Sequence, residues 1–372
     1  MPLALAPALT VLALLITALS IATRHYPRPD PAILVTLTLF LAWSGASLLW
    51  TIGGSKAVVA WTGFLYLWLP GWVLLSVLPT LRASTLARCV PWLLGALAVG
   101  IVLFAIELLL GQPVQHLFAS ASKPPVDFER DINRAALLLA LMAGPAALLL
   151  WRLRRRKLAA LAVVVPLLLV AVSTSQSALA ALLGLLGLLA VALLSWRVAS
   201  ALVAAGILAG MTLCGPLAAW IKQTGLADNE GLPIGVRHRV LTWDFVAARL
   251  HDRPWIGYGL EGSRAVPGGD GFFMVPDIGP MPMLPIHPHN LFLQVRLELG
   301  WVGAALAALL LLAILRRLTR LDPAIRPMAL SLFGAAIFAQ CFAYGAWQGW
   351  LICGMLFAGL LVGLASCIKD PT

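Results

Sequence analysis

The chain has 372 residues, is 61% hydrophobic and only 11% charged, and carries a formal net charge of +11. Soluble domains use about 25% charged residues, so this composition excludes a soluble enzyme, a disordered chain and a disulfide-framed secreted domain. It specifies a polytopic membrane protein.

Apolar runs long enough to cross about 30 Å of hydrocarbon recur along the chain. They are predicted at Leu3–Ala22, Pro31–Trp50, Ala57–Pro79, Val90–Leu110, Arg134–Trp151, Leu158–Val172, Ala178–Trp196, Ala199–Trp220, Asn290–Leu315, Pro327–Trp347 and Gly349–Ile368. The predicted fold is therefore all-α, with about 11–12 transmembrane helices. Backbone polar groups in lipid must be satisfied within each segment, and no alternating barrel pattern occurs. The first run lacks a basic segment ahead of it and is read as a retained helix rather than a signal peptide.

The basic residues sort by loop. Arg24, Arg28, Arg82, Arg88, Arg152, Arg154, Arg155, Arg156, Lys157, Arg197, Arg316, Arg317, Arg320, Arg326 and Lys369 fall in loops that follow odd-numbered spans. The short even loops hold only Lys56, Lys123, Arg130 and Arg134. This bias places the odd loops in the cytoplasm and the C-terminus inside. Basic loops of this kind orient the chain in a bilayer, and nucleic acid is not an expected partner. The chain divides into N-terminal helices (1–220), a long outer loop (221–288) and C-terminal helices (289–372). Cys89, Cys214, Cys341, Cys353 and Cys367 lie in or beside apolar runs without a C-x-x-C, so neither a disulfide framework nor a cysteine zinc site is expected.

The long loop carries six of the basic residues, three of the six histidines (His289 follows directly) and many Gly and Pro. Connections of this length are usually functional. Its segment 237–251 reads as an amphipathic helix, with Val240, Trp243, Val246 and Ala247 on one face. Arg237 and Arg239 on its polar side suit phosphate oxygens; the alternative is a helix lying on anionic headgroups. Gly257, Gly259 and Gly262 spell G-x-G-x-x-G, but no strand precedes them, so the segment is read as a turn.

Pro288 then breaks the chain before a long apolar helix, and Asn290 is placed to cap it. His289 sits beside that helix start, where a negative group is favoured. Gln294, Arg296 and Glu298 continue into the apolar run, where polar groups are costly and mark function by default. A packing pair of Arg296 with Glu298 is the plain alternative. His287 and His289, joined by His251 or Asp277, could ligate a metal, but no metalloenzyme motif supports this, and neither metal nor cofactor is expected.

Several of these strings carry a family resemblance. His287-Pro-His-Asn-Leu-Phe-Leu-Gln294 followed by Glu298-Leu-Gly-Trp-Val-Gly303 resembles the signature of the O-antigen ligase and polymerase superfamily. Arg239-Val-Leu-Thr-Trp243 and Pro254-Trp-Ile-Gly-Tyr-Gly259 resemble that family's R-x-x-x-W and P-x-x-G-x-G blocks, and Asn133 also fits. The resemblance implies glycan transfer from an undecaprenyl-diphosphate carrier at the periplasmic face of the bacterial inner membrane. The implied acceptor is lipid A-core, another glycan repeat or a protein Ser/Thr. It further implies that His289 is the base or activator and that Arg239 holds the diphosphate. Arg237, Arg264, His287, Asn290, Gln294 and Arg296 are the remaining candidates for contact with substrate. The chain departs from the family at Ser173–Ser177, where Gln176 stands in place of an expected arginine. That phosphate contact is then missing or moved to Arg237 or Arg264.

The implied chemistry suits these residue types. A neutral histidine can accept a hydroxyl proton, and arginines can stabilise a departing diphosphate without a metal. A transporter is the main competing class, on the strength of Glu107, Gln294, Arg296, Glu298, Gln340 and Gln348 within apolar runs. A structural membrane protein is the third reading.

Overall fold

The computed structural model describes residues 5–22, 24, 30–77, 83–118, 125–275 and 279–368. Arg28, Arg82, Lys123 and Lys369, used above for orientation, and Asp277 lie outside them. Among the described residues are thirteen α-helices: α1 (Leu5–Ala22), α2 (Pro31–Ala46), α3 (Ser55–Val77), α4 (Ala83–Leu109), α5 (Pro113–Phe118), α6 (Pro125–Arg152), α7 (Arg156–Val172), α8 (Gln176–Leu194), α9 (Trp196–Gln223), α10 (Ile234–Arg249), α11 (Leu291–Leu318), α12 (Arg326–Gln340) and α13 (Gly349–Cys367). Each of the eleven predicted spans falls on one of them. Seven of these segments are long and apolar enough to cross a bilayer: Pro31–Leu49, Arg88–Leu109, Phe128–Arg152, Gln176–Leu194, Trp196–Gln223, Leu291–Leu318 and Gly349–Cys367.

Large apolar side chains point outward all along these helices, among them Val35, Leu103, Leu168, Leu183, Leu194, Leu213 and Leu217. Such a surface is stable only against lipid. Inside, small residues let helices approach closely. Ala136, Ala140 and Ala143 of α6 and Ala178 and Ala181 of α8 are buried around Leu137, Leu141, Leu182 and Leu185. A second core joins α2, α9, α10 and α11 through Leu37, Phe40, Ile207, Val246, Leu293 and Leu299.

The helices alternate in direction, which gives the bundle two distinct ends. At one end Arg316 meets Asp30 at 3.3 Å, and Arg152 donates to the Ile368 carbonyl at 2.6 Å. The other end carries the long loop.

The loop is folded onto the bundle. Helix α10 packs on α9 and α11 and buries Val240, Trp243, Val246 and Ala247, so it does not lie flat on headgroups. A two-stranded antiparallel hairpin, β1 (Phe272–Val275) and β2 (Gly279–Pro282), pairs Phe272 with Pro282 and Val275 with Gly279. The sequence gives no sign of it, because Pro280 and Pro282 argue against a strand and are tolerated only on an edge. His238 on α10 anchors it, with Nε2 2.7 Å from the Pro282 carbonyl.

Two departures from the predicted spans shape this end. Helix α12 stops at Gln340 instead of running to Trp347, and residues 341–348 form a turn between α12 and α13. Helix α11 is broken at Gly300, with φ 65° and ψ −162°. Its second piece, residues 301–318, is ~27 Å long and matches the hydrocarbon thickness. The first piece, 291–299, packs beneath the long loop.

The glycines of 254–262 explain the break. Tyr258 N donates to Leu297 O at 2.9 Å and Gly259 N to Glu298 O at 2.8 Å. Trp301 N and Val302 N donate to the carbonyls of Pro254 and Trp255, at 2.8 and 3.2 Å. The loop backbone thus replaces hydrogen bonds that the kink removes from the helix. Trp43 Nε1 reaches Leu299 O at 3.1 Å and serves another freed carbonyl. A Cβ on Gly257 would lie 2.5 Å from the Glu298 carbonyl, and one on Gly300 2.3 Å from that of Trp255. The predicted turn is present, and its glycines serve close approach to α11.

Candidate active site

The side chains gathered at this end come from α10, from residues 286–290, from the turn 341–348 and from the first piece of α11. Asn290 caps α11 as predicted, with Oδ1 accepting from Phe292 N at 3.1 Å and Leu293 N at 3.2 Å. Ahead of it, His289 takes the left-handed conformation, with φ 50°. Non-glycine residues adopt that region at a cost, and they concentrate at functional sites.

The His289 ring is fixed by the turn 341–348. Nδ1 lies 2.8 Å from the Ala343 carbonyl. A carbonyl can only accept, so Nδ1 carries the hydrogen and Nε2 keeps its lone pair. The His287 ring meets it edge to face at 4.3 Å between centroids. Gly345 packs on the His287 ring so closely that a Cβ would come within 2.7 Å of it. Gln348 reaches His287 Nε2 at 3.3 Å, and its own carbonyl accepts from Trp350 Nε1 at 2.6 Å. Burial is the main force lowering the pKa of His289 to about 4, and Arg239 and His238 lower it further. Burial likewise lowers His287 to about 3, aided by His289 and Arg264. Both rings are neutral near pH 7.

Arg239 bonds only within its own helix, from Nη1 to the Gly235 carbonyl at 3.1 Å, and its buried Nε has no hydrogen-bond partner among the described residues. It is close enough to His289 and to Tyr344 to perturb both. Tyr344 also senses Arg134, Asp131 and Arg130 at the start of α6, and burial holds its phenol neutral, at about 12. The site thus gathers His287, His289 and Arg239 with His238 and Tyr344, two residues without a sequence motif. Asn133, on the same stretch of α6, buries Oδ1 with no hydrogen-bond partner among the described residues.

The other candidates have different placements. Arg237 is buried and donates from Nε to the Ala227 carbonyl at 3.0 Å. Gln294 is engaged at both ends: Nε2 donates to Glu298 at 3.0 Å, and Oε1 accepts from Ala346 N at 2.8 Å. Arg296 lies over the Trp301 ring at 3.2 Å, not against Glu298, so the alternative of an Arg296–Glu298 packing pair does not form. Arg264 is ion-paired with Glu261. Gln176 is exposed at the start of α8. No third His, Cys, Asp or Glu completes a metal-binding cluster among the described residues.

Glu298 has the most demanding environment. It is fully buried and accepts four hydrogen bonds: from Glu261 N at 2.7 Å, Ser263 Oγ at 2.6 Å, Trp347 Nε1 at 2.6 Å and Gln294 Nε2 at 3.0 Å. One carboxyl group thereby ties the glycine-rich loop, α11 and the turn that holds His289. The sequence marks Glu298 as costly but not as a clamp, since three of its donors are 35 to 49 residues away.

Comparison with known proteins follows the same segment. Residues 161–308 match the family model described as O-antigen ligase. That range begins within α7 and ends within α11, so it contains Arg239, the glycine-rich loop, His287, His289 and Glu298. A Rickettsia conorii protein named as a candidate polysaccharide ligase is 28% identical over 165 residues, 44% of this chain and 40% of that protein. A Rickettsia prowazekii protein of the same description is 32% identical over 128 residues, 34% of this chain and 32% of its own length. A third, from Rickettsia felis, is 26% identical over 290 residues, 75% of this chain and 70% of that protein. The chain thus spans less than half the length of the first two relatives. With seven helices among the described residues long and apolar enough to cross a bilayer, it is a multi-pass membrane protein that is similar, over residues 161–308, to the O-antigen ligase family.

Proposed function

We propose that the chain is a metal-independent glycosyltransferase that moves a glycan from undecaprenyl diphosphate to lipid A-core at the periplasmic face of the bacterial inner membrane. The observation that carries this reading is the His289 ring: Nδ1 is bound to the Ala343 carbonyl, Nε2 is left as a proton acceptor, and Arg239 stands beside it. Nε2 takes the proton of the acceptor hydroxyl as that oxygen attacks the anomeric carbon. The bond to the diphosphate oxygen breaks, and Arg239 stabilises the charge that collects there. The His287 ring holds His289 in place, and Asn290 fixes the helix start behind it.

The transporter alternative loses its support at the polar residues themselves. Glu107 accepts from Val114 N at 2.7 Å at the start of α5, and Gln294, Glu298 and Gln348 are committed to local partners. These four need no central pathway.

The test is the glycan profile of a deletion strain complemented with wild type or with His289→Ala. Wild type restores glycan on lipid A-core; His289→Ala inserts in the membrane but leaves lipid A-core bare. Full transfer by His289→Ala rejects the mechanism. Short glycan chains in the deletion strain would instead identify a repeat-unit polymerase, and unglycosylated protein a protein O-oligosaccharyltransferase.

A further inference from the structure

An apolar groove of about 280 Å³ lies between α8, α9 and α12, below the candidate active site. Three glycines open it: Gly184 of α8, Gly206 of α9 and Gly334 of α12. Phe292 of α11 and Cys341, which caps α12, close its outer end. No charged side chain lines it among the described residues.

Gly206 and Gly210 stand one turn apart on α9. At Gly210 the Phe292 ring takes up the room, and a Cβ there would come within 2.3 Å of it. At Gly206 a Cβ would meet nothing within 4 Å. Glycine is disfavoured inside a helix, and packed interiors leave few such voids, so this notch is kept at a cost.

Depth identifies the kind of occupant. Trp196, at the start of α9, carries Arg197 and Arg326 over its ring at 5.5 and 4.7 Å, the pattern of a headgroup level. Gly206 is ~15 Å along α9 from that level, and Gly210 ~21 Å. The groove therefore runs from the middle of a ~30 Å hydrocarbon layer into its outer half. Its occupant is an apolar chain.

The outer end of the groove meets the site. Cys341 is two residues from Ala343, whose carbonyl holds His289. From the groove wall a run of rings leads outward: Phe338 to Phe342 at 4.9 Å, then Phe342 to Trp243 at 5.9 Å. Trp243 Nε1 donates to the Pro288 carbonyl at 2.7 Å. Phe338 and Phe342 are both exposed. A chain lying in the groove thus emerges beside Pro288 and His289.

We infer that the groove holds the isoprenoid chain of the donor, in the units next to the diphosphate, and that the Gly206 notch receives a methyl branch. This rests on the donor proposed above, whose apolar chain is joined to the diphosphate and must leave the site close to Arg239. A space of this size takes roughly two isoprene units. A straight chain has no branch to fill the notch and forfeits those contacts, so the groove selects a prenyl chain.

The experiment uses the full chain purified in neutral detergent. It is titrated with geranylgeranyl diphosphate, with its unbranched counterpart hexadecyl diphosphate, or with phosphatidylglycerol. Native mass spectrometry counts the bound ligand. Wild type prefers the prenyl diphosphate by about tenfold, the worth of roughly two buried methyl groups. Gly206→Leu fills the notch, weakens prenyl binding about tenfold and removes the preference. Gly187→Leu, on α8 outside the groove and equally free of neighbours, changes neither. Both replacements favour a helix, so their ligand-free Tm stays at or above wild type, which separates binding from folding. Wild-type binding and preference in Gly206→Leu would overturn the groove, and a loss in Arg239→Ala beside it would leave the diphosphate site standing. An equal loss of phosphatidylglycerol binding in Gly206→Leu would give the groove to a membrane phospholipid and overturn the isoprenoid. If wild type binds neither diphosphate, or Arg239→Ala binds both as wild type does, the donor reading falls and this inference with it.

Discussion

Glu298→Gln tests whether the site stands on the buried clamp. The substitution keeps the shape and removes the charge. Gln at 298 keeps one acceptor oxygen, which is best left facing Glu261 N and Trp347 Nε1. Its NH2 then faces Ser263 Oγ and Gln294 Nε2. Ser263 adapts, because its hydroxyl can accept there and donate to the Ile286 carbonyl, now 3.0 Å away. Gln294 cannot adapt: its oxygen is held by Ala346 N at 2.8 Å, so two amide donors confront each other. One unsatisfied buried donor costs about 1–3 kcal/mol, and the lost charge assistance adds about 1 kcal/mol. The expected loss is about 3 kcal/mol, or about 5 °C in Tm for a chain of this size. Glu298→Ala strands four donors and costs at least about 5 kcal/mol. Tryptophan fluorescence during thermal unfolding in detergent reads the stability, and complementation of the deletion strain reads activity. Activity falls with stability, since Trp347 and Ala346 belong to the turn that holds His289. A Glu298→Gln protein with wild-type Tm and full transfer would refute the clamp.

Three further outcomes follow from the same geometry. Arg239→Ala cuts transfer about 10²–10³-fold with little change in Tm, while Arg237→Ala leaves the Ala227 carbonyl unpaired, costs about 1–3 kcal/mol of stability and leaves transfer by the folded fraction intact; complementation and thermal melts on both variants decide. His289 and His287 titrate at about 4 and about 3 when folded but near the ordinary histidine value of 6.5 when unfolded. Protons therefore bind the unfolded chain first, so stability from the neutral rings is full above about pH 6.5 and declines as pH falls toward 4; Tm measured across this range slopes less in a His287→Gln/His289→Gln double variant. Gly300→Ala places a Cβ 2.3 Å from the Trp255 carbonyl at φ 65° and costs at least about 3 kcal/mol, visible as loss of monodisperse protein on size exclusion.

The helices are legible in the sequence because the demand of hydrocarbon is local: a run of apolar residues long enough to span must form its own hydrogen bonds. The turn at 341–348 is not legible. Phe342, Ala343, Ala346 and Trp347 are as apolar as a span, and only packing against α11 and His289 makes them a turn. The two loop arginines are partly legible. Positions 237 and 239 lie ~200° apart around a helix, so one at most can face a given site. Which one does so is set by Ala227, in a segment without a recognisable pattern. His289 and Asn290 are legible because a proline break, a cap and a family string coincide. The clamp at Glu298 is hidden because three of its four partners come from two distant stretches of chain, 261–263 and Trp347.

The Gly300 break has a consequence for biogenesis. Until the loop docks, the carbonyls of Leu297 and Glu298 and the amides of Trp301 and Val302 have lost their partners from Tyr258, Gly259, Pro254 and Trp255. Exposed to hydrocarbon, each such group costs several kcal/mol. The ninth apolar helix therefore cannot settle in the bilayer as an independent unit when it leaves the translocon. It becomes a stable span when the preceding segment, 254–259, folds down on it. Membrane integration and assembly of the His289 site are thus a single event, and a chain that has not built the site has not finished inserting.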